Sequence, residues 1–338
     1  MTALRFATGT TVKDFAAYAE WLRVAEDCGY SMLTTGDSQS LWADPYVSLT
    51  FAAQHTTVPR LGITVSNPMT RHPAVAASAA SALQHISGDR FVLGISSGDS
   101  ALRNIGVRPA RVAETEEYVT AVRHLTAGRT AHWQGTELEL RWPPRRTPVW
   151  IAAEGPRTLR TAGRVADGVV LSNSLTKTAY ERNLGHVAAG AAEAGRDLAD
   201  IEVWCMANVV PADTEQAGID QVRSVLAGTA NHVFRFSTEG KGLPDALVPA
   251  VEELKRRYDS RHHASPETAA HNAALVDELG LTSFLAAQST VAGPVEHCVE
   301  RLHEIAEAGV RNLIVAQFVP EPTAFMKTFA DRIAPRFR

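Results

Sequence analysis

The sequence predicts an α/β protein, a (β/α)8 TIM barrel with a helical insertion between its seventh and eighth strands. Three observations predict it. Strand and helix signals alternate along the chain and give eight strand candidates. Two of these strands, ending near Ser66 and Ile95, run into polar loops and are separated by a helical segment from Ala74 to Ile86. A crossover helix makes them parallel, so both loops lie on one edge of the sheet, where ligands bind in such folds. Finally, the chain has 338 residues, and its surplus over the roughly 250 of a typical barrel is concentrated between Pro211 and Val291.

The elements follow in order. Leu4 to Thr8 reads as the first strand. Asp14 to Cys28 places Phe15, Tyr18, Leu22 and Ala25 at helical spacing and stops at Gly29. Tyr30 to Thr35 is the second strand, ending in Gly36-Asp37-Ser38, and Pro45 opens a helix to about Thr57. Arg60 to Val65 and Phe91 to Ile95 are strands three and four, and Val112 to Thr126 is helical. Trp133 to Pro144 reads as a hairpin-like excursion. Pro148 to Ala153 is strand five, followed by a helix from Arg157 to Val165 that begins at Gly155-Pro156. Gly168 to Leu171 is strand six, Lys177 to Ala194 a helix, and Ile201 to Val210 strand seven. The insertion holds helical pieces at Ile219–Leu226, Leu247–Tyr258 and Glu267–Leu279, joined by links rich in Gly, Pro and Thr. Its position predicts a lid or side wall over the C-terminal mouth. Val295 to Ala308 is a helix, Asn312 to Phe318 the eighth strand, and Ala324 to Ile333 the last helix. A doubly wound sheet with a separate helical domain is the competing architecture, but no linker composition marks a boundary.

Composition excludes several classes of function. Hydrophobic residues make up 45%, charged residues 21%, and the net charge is −4 with both signs interspersed. There is no electrostatic footprint for nucleic acid or an anionic membrane. The basic cluster Arg141 to Arg146 contains two prolines and reads as a solvated connection. No apolar run reaches membrane-spanning length and the first residues start directly with a strand, so a cytoplasmic location is expected. Cys28, Cys205 and Cys298 are odd in number and far apart, which argues against a disulfide framework. His262-His263 has no spaced partner, and His297, Cys298 and His303 do not share a helical face at ligand spacing, so no metal is expected. No G-x-G-x-x-G follows the first strand, which disfavours a Rossmann nicotinamide site.

The candidate site residues lie at strand ends. Gly155-Pro156-Arg157-Thr158 follows a strand and opens a helix, where free N–H groups and the helix dipole favour phosphate; alternatively, it only starts a helix. Gly94-Ile-Ser-Ser-Gly98 fits the nucleophile elbow G-x-S-x-G with Ser96 as nucleophile, but no His-Gly-Gly oxyanion loop accompanies it. The alternative is that these small residues let backbone approach a flat ligand. Asp37 and Asp99 end strands two and four and read either as helix caps or as a proton donor and a hydrogen-bond acceptor. For Asp99, removal from water would raise the pKa and keep the acid protonated. Arg71 and His72 precede Pro73 and are held extended, and His72 is either a cap or a ligand contact.

Taken together, these loops resemble the bacterial-luciferase-like superfamily, and most closely its branch of methylenetetrahydromethanopterin reductase and related F420-dependent oxidoreductases. The resemblance rests on the runs Ser66 to Pro73, Ser87 to Ile95, Gly98-Asp99, Ala152 to Leu159, Ala162 to Val169, and Gly293 to Glu296 with Glu307 to Val310. It covers roughly residues 1 to 210 and 290 to 335. It implies a barrel, dimeric in most members, that holds F420, or alternatively FMN, at the C-terminal mouth. It implies a non-proline cis peptide at Thr64-Val65 beneath the deazaflavin ring, with Asp37 and Asn67 near the ring and an acidic residue, Asp99, beside it. The phosphate would lie on Gly155 to Thr158, and the wider cofactor set is Ser38, Ser96, Ser97, Gly98, Ala153 and Glu154. There are two departures from the family. Ser38 stands where many F420-dependent dehydrogenases carry His, which argues against alcohol oxidation with that His as base. Ser96 replaces a middle glycine. The expected activity is hydride transfer from reduced F420 to an activated C=C or C=N bond of a small molecule or modified peptide, with Asp99 or a nearby water as proton source and Asp37 as second catalytic candidate. An FMN-dependent monooxygenase and a non-catalytic cofactor-binding barrel are the alternatives.

Overall fold

A computed structural model describes residues 3–259, 266–316 and 321–337. Its strands are β1 (Arg5–Gly9), β2 (Met32–Thr35), β3 (Arg60–Ser66), β4 (Phe91–Ile95), β5 (Ala131–Trp133), β6 (Thr136–Leu138), β7 (Val149–Ala153), β8 (Gly168–Leu171), β9 (Glu202–Pro211), β10 (Thr290–Gly293) and β11 (Asn312–Ala316). Eight of them close a parallel barrel in the order β1-β2-β3-β4-β7-β8-β9-β11, with β11 returning to β1. The predicted barrel is therefore present. Its strands are short runs buried on both faces, as parallel strands covered by helices must be.

The helices begin where the sequence chemistry places them. Asp14 accepts from the Ala16 and Ala17 N–H groups at the start of Phe15–Asp27. Proline occupies the first turn of Pro45–His55, Pro73–Ser87 and Pro156–Val165, where its missing N–H costs nothing. The main hydrophobic layer lies between these helices and the outer faces of the strands.

A smaller cluster fills the barrel interior with one residue from each of seven strands: Ala7, Met32, Val92, Trp150, Val170, Trp204 and Ile314. Trp150 and Trp204 stack with ring centroids 6.0 Å apart. Trp150 leaves no room for a side chain at Gly168, whose Cβ would lie 2.5 Å from the indole nitrogen. At the N-terminal end, Glu202 pairs with Arg5 at 2.9 Å and Arg60 at 2.8 Å and accepts from the Trp204 indole N–H. The two guanidinium groups lie over the Trp204 and Trp150 rings. The barrel floor is thus closed by tryptophans capped with ion pairs.

Several elements differ from expectation. The excursion is a two-stranded antiparallel hairpin that starts at Ala131, two residues before the predicted Trp133. The insertion helix read as Ile219–Leu226 runs over Glu215–Phe234, because Thr214 caps it and Ala227, Ala230, Val233 and Phe234 continue its apolar face past Gly228. Helix Thr282–Ser289 and strand β10 were not predicted. β10 is four residues long and pairs with the tail of β9, Asn208 to Pro211, so β-structure overlaps both ends of the expected insertion. The eighth strand is described to Ala316; Gln317, Phe318 and the pair His262-His263 lie outside the described residues. The insertion helices share their own apolar cluster, including Leu226, Phe234, Leu254, Val276 and Leu285.

Candidate functional site at the C-terminal mouth

The mouth is shaped first by a bulge. β3 takes three steps from Ile63 to Ser66 while β4 takes two from Leu93 to Ile95, and Thr64-Val65 is a non-proline cis peptide, as the resemblance implied. Gly94 faces this bulge: a Cβ there would lie 2.5 Å from the Ile63 carbonyl and 3.0 Å from a Val65 methyl. The Asp37 N–H donates to the Val65 carbonyl at 3.3 Å, and the Ser96 N–H to the Ser66 carbonyl at 2.9 Å. The ends of β2, β3 and β4 are thereby laced together.

Within this corner Ser66 Oγ donates to Asp37 Oδ2 at 2.5 Å. Burial pushes the Asp37 carboxyl pKa up and Asp44 adds to the shift, while the Ser66 hydrogen bond and Arg71 act against it. Asn67 is buried and its Oδ1 accepts from the Met69 and Thr70 N–H groups, so it braces its own loop. Ser38 Oγ lies 2.9 Å from Ser100 Oγ. Ser96 Oγ accepts weakly from the Gly98 N–H at 3.4 Å, and the Ser97 carbonyl accepts from Ala110. His72 is exposed and caps Pro73–Ser87 through Ala74 N–H, while Arg71 pairs with Asp44 over the Tyr46 ring.

Asp99 departs from expectation. Arg235 Nη1 lies 2.8 Å from its Oδ1, His232 Nδ1 lies 3.3 Å from Oδ2, and Arg103 makes a further ion pair. Burial alone would push this carboxyl up, but the His232 hydrogen bond and the Arg235, His232 and Arg103 charges outweigh it and hold it well below the usual carboxylate range. Asp99 is an ionised anchor and not a protonated acid. Nor is it a helix cap, because it makes no side-chain cap bond to Ser100–Arg103. Arg235 also donates to the Gly98 carbonyl at 2.9 Å, so the end of the insertion helix Glu215–Phe234 is fastened to the β4 loop.

Next to β4 in the barrel, β7 ends at Ala153 and Gly155 starts the helix Pro156–Val165 without any side-chain cap bond. The Arg157 and Thr158 N–H groups therefore point out of an uncapped first turn. The Arg157 side chain is exposed. Burial raises the pKa of Glu154, against hydrogen bonds from Ser172 and the charges of His232 and Lys241. His232 bonds to Asp99 and also acts electrostatically on Glu154. Among the described residues, Thr35 Oγ1 at the C-terminal end of β2 and Asn173 Oδ1 just beyond β8 are buried polar atoms without a partner.

The structure gathers Asp37, Ser66, Asn67, Ser96, Gly98 and Asp99 at the ends of β2, β3 and β4, and Ala153 to Thr158 at the end of the adjoining β7. Sequence reasoning missed Ser66 as the partner of Asp37, Ser172, and the insertion residues His232, Arg235 and Lys241. Among the described residues no group of three His, Cys, Asp or Glu could hold a metal ion, and no helix is long and apolar enough to cross a membrane.

A closed parallel barrel whose polar groups converge at the C-terminal strand ends defines a TIM-barrel enzyme. The chain belongs to the family described as Luciferase-like monooxygenase, which matches residues 1–312, and it is an oxidoreductase. It is 26% identical over 320 residues to the 5,10-methylenetetrahydromethanopterin reductase of Methanolobus tindarius, covering 92% of each chain. It is 27% identical over 350 residues to the F420-dependent glucose-6-phosphate dehydrogenase of Beutenbergia cavernae, covering 96% of this chain and 94% of that one. The structure of the coenzyme F420 dependent tetrahydromethanopterin reductase from Methanopyrus kandleri superposes over the whole of both chains with a TM-score of 0.76 at 22% identity.

Proposed function

We propose that this protein is an F420-dependent reductase that delivers a hydride to an activated C=C or C=N bond of a small-molecule or peptide-borne substrate. The observation that carries the reading is the uncapped helix start at Gly155, which shares the barrel mouth with the tight corner around the β3 bulge. A flat cofactor carrying a phosphate on its side chain matches that pair of features: backbone N–H donors for the phosphate and closely packed backbone for the ring. The unpartnered Thr35 Oγ1 and Asn173 Oδ1 are further polar groups suited to such a ligand. Two relatives carry F420 dependence in their descriptions, which supports the choice of cofactor.

When bound, F420 supplies the hydride. The residues of this chain do the remaining work. Gly155, Arg157 and Thr158 would hold the phosphate through backbone N–H groups, with Pro156 setting the first turn, and Asp37, Asn67 and the Thr64-Val65 backbone would border the ring. Asp37, whose pKa burial raises, is the carboxyl suited to keep a proton on Oδ1, since Oδ2 accepts from Ser66. Asp99 holds the insertion in position. Side-by-side fluorescence titrations with F420 and FMN test the reading, followed by hydride turnover on imine and enone acceptors. Tighter binding of FMN would overturn it in favour of a flavin monooxygenase, and F420 binding without any turnover would leave a non-catalytic barrel.

A further inference from the structure

The insertion brings one more cation to the mouth, at the phosphate turn itself. Lys241 lies against Gly155: the atoms nearest a Cβ built there are Lys241 Cε at 3.4 Å and Nζ at 3.9 Å. Two glycines deliver it. Gly240 has φ +69° and packs on Pro156, whose Cγ would lie 2.5 Å from an added Cβ; Gly242 has φ +68° and packs on Arg182, with Nη1 only 1.8 Å from the same position. A larger residue would strike the Pro156 ring at position 240, and both positions hold a left-handed backbone that favours glycine, so the Gly240-Lys241-Gly242 segment is shaped to press onto the turn.

The ammonium is poorly compensated there. It donates to a neutral carbonyl, that of Val233, and among the described residues no carboxylate lies within ion-pair range of it. Burial pulls its pKa down, and Glu154, the carboxyl that acts on it, is itself driven toward the neutral form by burial. An ammonium has three donors, and a half-buried one with a single carbonyl partner is suited to an anion that arrives later. The anion favoured beside an uncapped helix start is a phosphate.

We propose that Lys241 is a phosphate-recognising residue of the mouth, moving its ammonium from the Val233 carbonyl to a phosphate seated on Gly155 to Thr158. The insertion then closes one side of the cofactor site and contributes to it directly. This rests on the cofactor reading above.

The test compares F420 with its ribityl deazaflavin core lacking the phosphate, and FMN with riboflavin, by fluorescence titration of the wild type, Lys241→Met and Lys241→Arg. The expected result is a loss of phosphate-form affinity in Lys241→Met by roughly tenfold to a hundredfold, the range of one charge-assisted hydrogen bond. Affinity for the phosphate-free forms stays within about twofold of wild type, and Lys241→Arg keeps most of the preference for phosphate. The ratio of the two affinities is taken on the same variant, so partial loss of folded protein cancels. A Lys241→Met variant that retains the wild-type ratio overturns the role of Lys241 while leaving the cofactor reading intact. A wild type that shows no preference for the phosphate forms overturns both.

Discussion

Asp99→Asn is the most informative substitution, because it separates an electrostatic anchor from a catalytic acid. Asn keeps the volume and one acceptor oxygen but removes the charge that faces Arg235, Arg103 and His232. Stranding one member of a fully buried ion pair costs ~3–5 kcal/mol, whereas a solvated pair is worth ~0–1 kcal/mol. Asp99 retains 31% of its side-chain exposure and Arg235 only 14%, which puts this cluster between the two limits. A loss of about 2 kcal/mol is expected, in line with hydrogen bonds to charged groups. The sign with pH follows from the depressed carboxyl pKa. Its stabilising contribution is complete above the unfolded pKa of about 3.9 and is lost as pH falls toward the folded value. Urea unfolding of wild type and variant should therefore show a constant gap near neutrality that narrows below about pH 4. Hydrogen exchange should show the end of the helix Glu215–Phe234 opening more readily in the variant at pH 7. Equal stability of the two proteins at neutral pH would refute the anchor, and a turnover defect with unchanged stability would return Asp99 to the role of acid.

Gly94→Val drives a Cβ to within 2.5 Å of the Ile63 carbonyl; the variant should lose ~1–3 kcal/mol of stability in thermal or urea unfolding and bind cofactor poorly. Gly155→Val should do the reverse, because the backbone there is extended at φ −107° and accepts a β-branched residue. Its melting temperature without cofactor should stay near wild type, while titration shows weaker binding of phosphate-bearing cofactors. Asp37→Asn tests the raised carboxyl: an acid whose pKa rises on folding costs stability as pH climbs from its unfolded value of about 3.9 toward the folded one. The variant should match or exceed wild-type stability at pH 7 and lose that advantage near pH 3, as read by urea unfolding across about pH 3 to 8.

The barrel was legible because its strands are short apolar runs bounded by Gly, Pro, Ser and Asp, and because proline marks several helix starts. β10 was not legible: Thr290-Val-Ala-Gly293 is four residues with no alternation, and only the tail of β9 makes it a strand. Glycine misled the reading of the insertion, since Gly228 sits inside a helix that packing carries through. The strand-end residues of the mouth could be found because each ends a recognisable run. The protonation of Asp99 could not be read, because beyond the nearby Arg103 its partners lie far along the chain, Arg235 and His232, the latter at a separation of 133 residues. Gly240-Lys241-Gly242 was visible as composition but looked like a loose link. Its meaning comes only from Pro156 and Arg182, which the fold brings beneath the two glycines.

The stacked Trp150 and Trp204, with Glu202 and its two arginines below them, make the barrel a vessel with one opening. A molecule seated deep in the mouth has no rear exit, so it departs only after whatever was laid over it has gone. Traffic through such a site is last in, first out. If the cofactor lies deeper than the acceptor, the acceptor-derived product leaves first and the spent cofactor follows. An excess of acceptor would then trap the spent cofactor beneath it and slow its exchange, giving steady-state kinetics with substrate inhibition that more reduced cofactor does not relieve.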